Sequence, residues 1–140
     1  MLDYDQLKLF FQVVVGVIFD PRHIEGDANP IRVLGRMEKE SRALAAKGLR
    51  LGISDAISML RDERPETIAA LSAKLEEAGA PSIEMIRAYL SKKWAAIVKR
   101  GSIETDEQFY LVRELVDDPG LTSMDRDRLN NMLEVYEAKR

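Results

Sequence analysis

An all-α fold is predicted for this chain: a compact bundle of about six helices filling 1–140 as one domain, with a C-terminal helical hairpin over 101–140. Apolar residues recur at helical spacing in every long segment, and most segments open and close on residues that cap helices. No segment alternates apolar and polar residues over the length of a strand. The 140 residues suffice for a sizeable core, and 46% hydrophobic with 32% charged residues is an ordinary globular balance.

Asp3 is placed as an N-cap, with Gln6 positioned to return the cap and Leu2 and Leu7 spaced as a hydrophobic staple. The first helix is expected to reach about Ile18. Val13, Val14, Val15 and Gly16 are poor helix formers, but Leu7, Phe10, Phe11, Val14 and Ile18 keep the helical period. Leu9, Val13 and Val17 extend the apolar surface beyond one stripe, so this helix needs either a central position or a second copy of the chain against it.

After a loop over 20–28, Asn29 and Pro30 open a helix as cap and first residue, and its pattern continues to about Arg50. On one continuous helix Arg32, Arg36, Lys39, Lys47 and Arg50 share a face, with Arg42 at its edge. Val33, Leu34, Met37, Leu44 and Leu51 form the opposite stripe, in which Ser41 and Gly48 fill gaps. Gly48 and Gly52 are read as a frayed end or bend, and Ser54 as the cap of a short helix ending near Arg61.

Pro65 starts the next helix and Gly79 stops it. Pro81 and Ser82 open another, closed by Gly101 after Lys99 and Arg100, cations suited to the negative end of the helix dipole. The run Thr105 to Gln108 is a capping box, and Asp117 to Gly120 is a turn. Thr122 or Ser123 caps the last helix, whose buried stripe is Leu129, Met132, Leu133 and Tyr136. The expected core comprises Leu34, Met37, Leu44, Leu90, Trp94, Ile97, Leu111, Leu115, Leu129 and Leu133.

Composition excludes several chemistries. The chain has no cysteine and a single histidine, which removes disulfides, thiolate sites and any two-histidine zinc site from one chain. The most apolar run, Leu7 to Phe19, is broken by Lys8 and Gln12, too short to span a bilayer, and preceded by acidic residues where a secretory signal needs positive charge. A cytoplasmic protein without a membrane span is expected. Asp20, His23, Glu25 and Asp27 offer ligands for a hard cation, but their spacing fits no metal loop and reads as a solvated turn. The carboxylates of Glu76–Glu77 and Asp117–Asp118 are adjacent in sequence and do not face one another, and no glycine-rich phosphate loop or nucleophile elbow occurs. No cofactor, metal or catalytic residue is implied. A small enzyme with a site assembled from distant residues is the least favoured function.

Charge is distributed unevenly. Residues 30–50 carry six basic against two acidic side chains, 81–101 five against one, and 102–140 five against ten, in a chain of net charge −3. The expectation is a non-catalytic protein-interaction or regulatory module, forming homo-oligomers and presenting Arg32, Arg36, Lys39, Lys47 and Arg50 to an acidic protein partner. The alternative is a nucleic-acid-associated protein using the same face over 32–50. A helix-turn-helix over 54–78 would present Asp55, Asp62, Glu63, Glu66, Glu76 and Glu77 to phosphate, which repels it.

Overall fold

The computed structural model describes residues 2–19, 26–117 and 121–139. The candidate cation ligands Asp20, His23 and Glu25, the side chain of Asp27 and the turn residues 118–120 lie outside that description. Among the described residues the fold is all-α, with seven α-helices and no strand: α1 (Tyr4–Ile18), α2 (Pro30–Glu40), α3 (Arg42–Leu60), α4 (Pro65–Ala78), α5 (Ile83–Arg100), α6 (Asp106–Val116) and α7 (Ser123–Ala138). A short 3-10 turn, Gly26–Ala28, precedes α2. No helix among these residues is long and apolar enough to cross a membrane.

The chain divides into two compact units, Met1–Arg87 and Ala88–Arg140, with the boundary inside α5. In the first unit α1 packs against α2, α3 and α4. Its Phe10, Phe11, Val14 and Val15 are buried with Leu49 and Ile53 of α3 and Leu71 and Leu75 of α4. Of the two covers that the broad apolar surface of α1 admits, a second copy or a place among other helices, the structure shows contacts of the second kind. Leu9, Val13 and Val17 are half-buried, and only polar or small positions such as Gln12 and Gly16 are open on this helix. The capping box forms as expected: Asp3 Oδ1 accepts from Gln6 N at 2.9 Å, and Gln6 Oε1 accepts from Asp3 N at 3.0 Å.

The expected single helix from Asn29 to Arg50 is two helices. Ser41 breaks it with extended backbone angles (φ −164°, ψ 130°), ending α2 through its N–H to Met37 O (2.9 Å) and capping α3 through its Oγ, which accepts from Leu44 N. A residue assigned to a gap in the apolar stripe is therefore both a C-cap and an N-cap. The second helix then runs through Gly48, Gly52 and Ser54 to Leu60, so none of these three is a fray, a bend or a cap.

Gly48 and Gly52 instead let neighbours approach. A Cβ on Gly48 would lie 2.7 Å from Met37 Sδ of α2, and one on Gly52 would lie 2.9 Å from the Phe11 ring of α1. Such contacts fall inside van der Waals range, so α3 sits against both helices at a distance that glycine alone permits without adjustment. Leu44 is 40% exposed, because the break at Ser41 puts it in the first turn of a new helix and off the α2 stripe.

In the second unit Ile97, Ile103, Phe109, Val112, Leu129 and Met132 form the core, flanked by partly buried Trp94, Leu111, Leu115, Leu133 and Tyr136. Helices α6 and α7 pack together as the expected hairpin. Phe109 meets the Tyr136 ring at 5.5 Å between centroids and the Tyr110 ring edge-on at 5.4 Å. Helix ends are tied by arginines. Arg128 Nη2 donates to Val98 O near the end of α5 at 3.0 Å, and Arg126 Nε donates to Val116 O, the last residue of α6, at 3.1 Å. These carbonyls lack a partner within their own helices, and a guanidinium supplies one. Of the expected core, Leu34, Ile97 and Leu129 are fully buried, while Met37, Leu90, Trp94, Leu111, Leu115 and Leu133 are half-buried.

Candidate functional site

Helix α2 is short and has sharply different sides. Asn29 accepts from Ile31 N at 2.8 Å and Pro30 occupies the first helical position, so the helix starts where the sequence signals it. Leu34 faces the core, and Met37 sits against Gly48. Glu38 turns toward α1, where its carboxylate accepts from the Tyr4 hydroxyl at 2.7 Å and from Lys8 Nζ at 2.9 Å on each oxygen. Arg32, Arg36 and Lys39 occupy the remaining side, at spacings of four and three residues, and all are exposed, with Glu40 exposed beside them at the end of the helix. Neither Arg32 nor Lys39 forms an ion pair among the described residues, so their charges face solvent.

The other members of the expected face lie on the next helix. Lys47 and Arg50 belong to α3 and are half-buried. Five cations share a face only on a continuous helix, and the extended residue at Ser41 interrupts it. Arg42, placed at the edge of that wheel, is exposed at the first position of α3.

Beside the stripe, Tyr4, Asp5, Glu38, Arg42, Ala43, Ala45 and Ala46 line an open groove of about 590 Å³. Burial and the neighbouring Glu38 carboxylate push the Tyr4 phenol up to about 12. The hydrogen bond from Tyr4, followed by that from Lys8, holds Glu38 below its usual carboxylate value. Near neutral pH the phenol keeps its proton and the carboxylate stays ionised and hydrogen-bonded to two donors. The cluster fastens α1 to α2.

Against family models, curated proteins and solved structures, the chain finds no match. Geometry alone therefore ranks its surfaces. Among the described residues no three His, Cys, Asp or Glu side chains gather in a way that could hold a metal ion. In the second unit Arg100 is engaged by Ser102 O, by Gln108 Oε1 at 2.6 Å and by Glu104, and this ties the start of α6. The Gln108 side chain reaches the N–H of Glu104, one residue beyond the cap Thr105, so the expected capping box is shifted by a residue. Trp94 Nε1 is buried and meets no acceptor.

Helix α7 of the second unit carries an acidic row that segment charge alone does not reveal. Leu129, Met132, Leu133 and Tyr136 take its inner side, while Asp127, Asn131 and Glu134 are exposed on the outer side. Met124 (81% exposed) and Val135 (47% exposed) flank that outer row. In the sequence this row shows only as the excess of acidic residues in 102–140.

Proposed function

We propose that this protein is a non-catalytic interaction module that offers the outer stripe of α2 to an acidic protein surface. The observation that carries the reading is the exposure of Arg32, Arg36 and Lys39 on one short helix whose other sides are occupied by packing and by the Tyr4–Glu38–Lys8 cluster. A helix fixed on its inner side holds its cations in a set geometry, which reduces the entropy lost when a partner docks. The same stripe suits phosphate less well. Three cations would neutralise about three phosphates, fewer than the roughly six to ten that give strong salt-dependent binding, and the chain carries a net charge of −3.

Amide chemical-shift mapping tests the reading. A polyglutamate peptide is expected to move the resonances of Arg32, Arg36 and Lys39 and their α2 neighbours at low salt. Duplex DNA is expected to bind more weakly. No response to the peptide, or a response away from α2, overturns the assignment. Tighter binding to DNA, with a steep loss as salt rises, would replace the protein partner with nucleic acid.

A further inference from the structure

We infer that the acidic surface recognised by α2 is the outer face of α7 on a second copy of this chain, so that copies associate head to tail. The inference rests on the proposed docking role of α2 and names its partner. Arg32 and Lys39 are seven residues apart on α2, and Asp127 and Glu134 are seven residues apart on α7. At 1.5 Å per residue each pair is separated by about 10.5 Å along its helix, so the two rows of opposite charge match in length. Arg36 lies between the cations, and Asn131, a neutral hydrogen-bonding residue, lies between the anions.

Both rows are exposed in the isolated chain. The α7 row is bordered by Met124 and Val135, large apolar side chains that the chain itself leaves open. Charge fixes register and orientation, whereas burial of apolar side chains supplies affinity, and methionine adapts to the surface it meets. The α4 surface, with Glu76 and Glu77 exposed, is also acidic, but those two carboxylates are adjacent and do not form a seven-residue row. Because the two contacting surfaces differ, the contact is heterologous: it closes into a ring or extends, according to the rotation between copies.

Sedimentation velocity on five samples tests this, with thermal melts confirming that each variant folds like the parent. At low salt and high micromolar concentration the parent is expected to sediment faster than a monomer and to return to monomer in high salt. R32E/K39E alone and D127K/E134K alone are each expected to lose the association, by at least about tenfold in affinity, since like charges then face each other. Mixed in equal amounts they are expected to associate, because every α2 then finds an α7 of opposite sign. E76K/E77K makes the same change in overall charge as D127K/E134K but leaves both rows intact, and is expected to associate as the parent does. A monomeric parent, a mixture that does not associate, loss of association in E76K/E77K, or association insensitive to charge reversal overturns the inference. A monomeric parent whose α2 still responds to polyglutamate leaves the docking role standing and removes only the second copy as its partner.

Discussion

The two units solve the same problem of holding helices together by different means. In the first, α3 presses against α2 and α1 through Gly48 and Gly52, and the core is aliphatic with two phenylalanines of α1 at its centre. In the second, a smaller core of six buried side chains is supplemented by arginines that tie helix ends to backbone carbonyls. A small unit buries a lower fraction of its surface, so polar ties at helix ends contribute a larger share of its stability. The contrast predicts that the first unit is most sensitive to volume at helix crossings and the second to loss of specific side-chain donors.

The largest effects should come from the cores. Phe10→Ala removes a fully buried ring of α1 and should cost about 3–5 kcal/mol, while Leu129→Ala in the second unit should cost about 2–5 kcal/mol. Denaturant unfolding followed by circular dichroism measures both, and a Phe10→Ala variant as stable as the parent would mean that α1 is not central. The next effect separates the two glycines. Gly52→Ala meets a rigid phenyl ring and should cost roughly 1–3 kcal/mol from overpacking, less up to about 1 kcal/mol regained in helix propensity. Gly48→Ala meets the flexible end of Met37 and should be nearly neutral in the same melts. Equal losses at the two sites would erase the distinction between the crossings.

Smaller again are the arginine ties. Arg126→Ala and Arg128→Ala should each cost roughly 1 kcal/mol, the usual net value of a hydrogen bond, in thermal melts. The smallest effect is visible only in alkali. Tyr4 has its folded value raised to about 12 from 10.0, so its contribution is fully present below pH 10.0 and is lost as pH rises toward 12. Glu38 works in the opposite sense: its folded value is lowered, so its contribution is present above the ordinary glutamate value and is lost as acid protonates it. Ring-labelled NMR should show Tyr4 titrating above an ordinary tyrosine, and Glu38→Gln should bring that midpoint down without restoring it fully, since burial remains the larger cause.

Helix class and most boundaries were legible because they rest on local chemistry. Asp3, Asn29, Pro30, Pro65, Gly79, Ser82 and Thr122 act where the capping rules place them. The break at Ser41 was not legible, because the apolar and basic periods continue across it and position 44, where a capping box places Glu or Gln, is a leucine. At that break the Ser41 hydroxyl caps α3, and α2 packs on α3 with Met37 against Gly48. That one residue decided the candidate site, since it kept Arg32, Arg36 and Lys39 together and moved Lys47 and Arg50 to another helix. Half-burial of Trp94 was equally invisible: its helical stripe is correct, but the stripe does not say how thick a cover the second unit can supply.

The central claim, that the docking surface is the α2 stripe and not the five-cation face of a continuous helix, is tested most directly by comparing two charge variants. Fluorescence anisotropy of a labelled polyglutamate peptide gives the affinity of each. The account predicts that R32E/R36E/K39E abolishes binding, whereas K47Q/R50Q, which changes half-buried residues of α3, leaves it within about twofold, less than 0.5 kcal/mol. Equal losses from both variants would contradict it and restore the five residues as one surface.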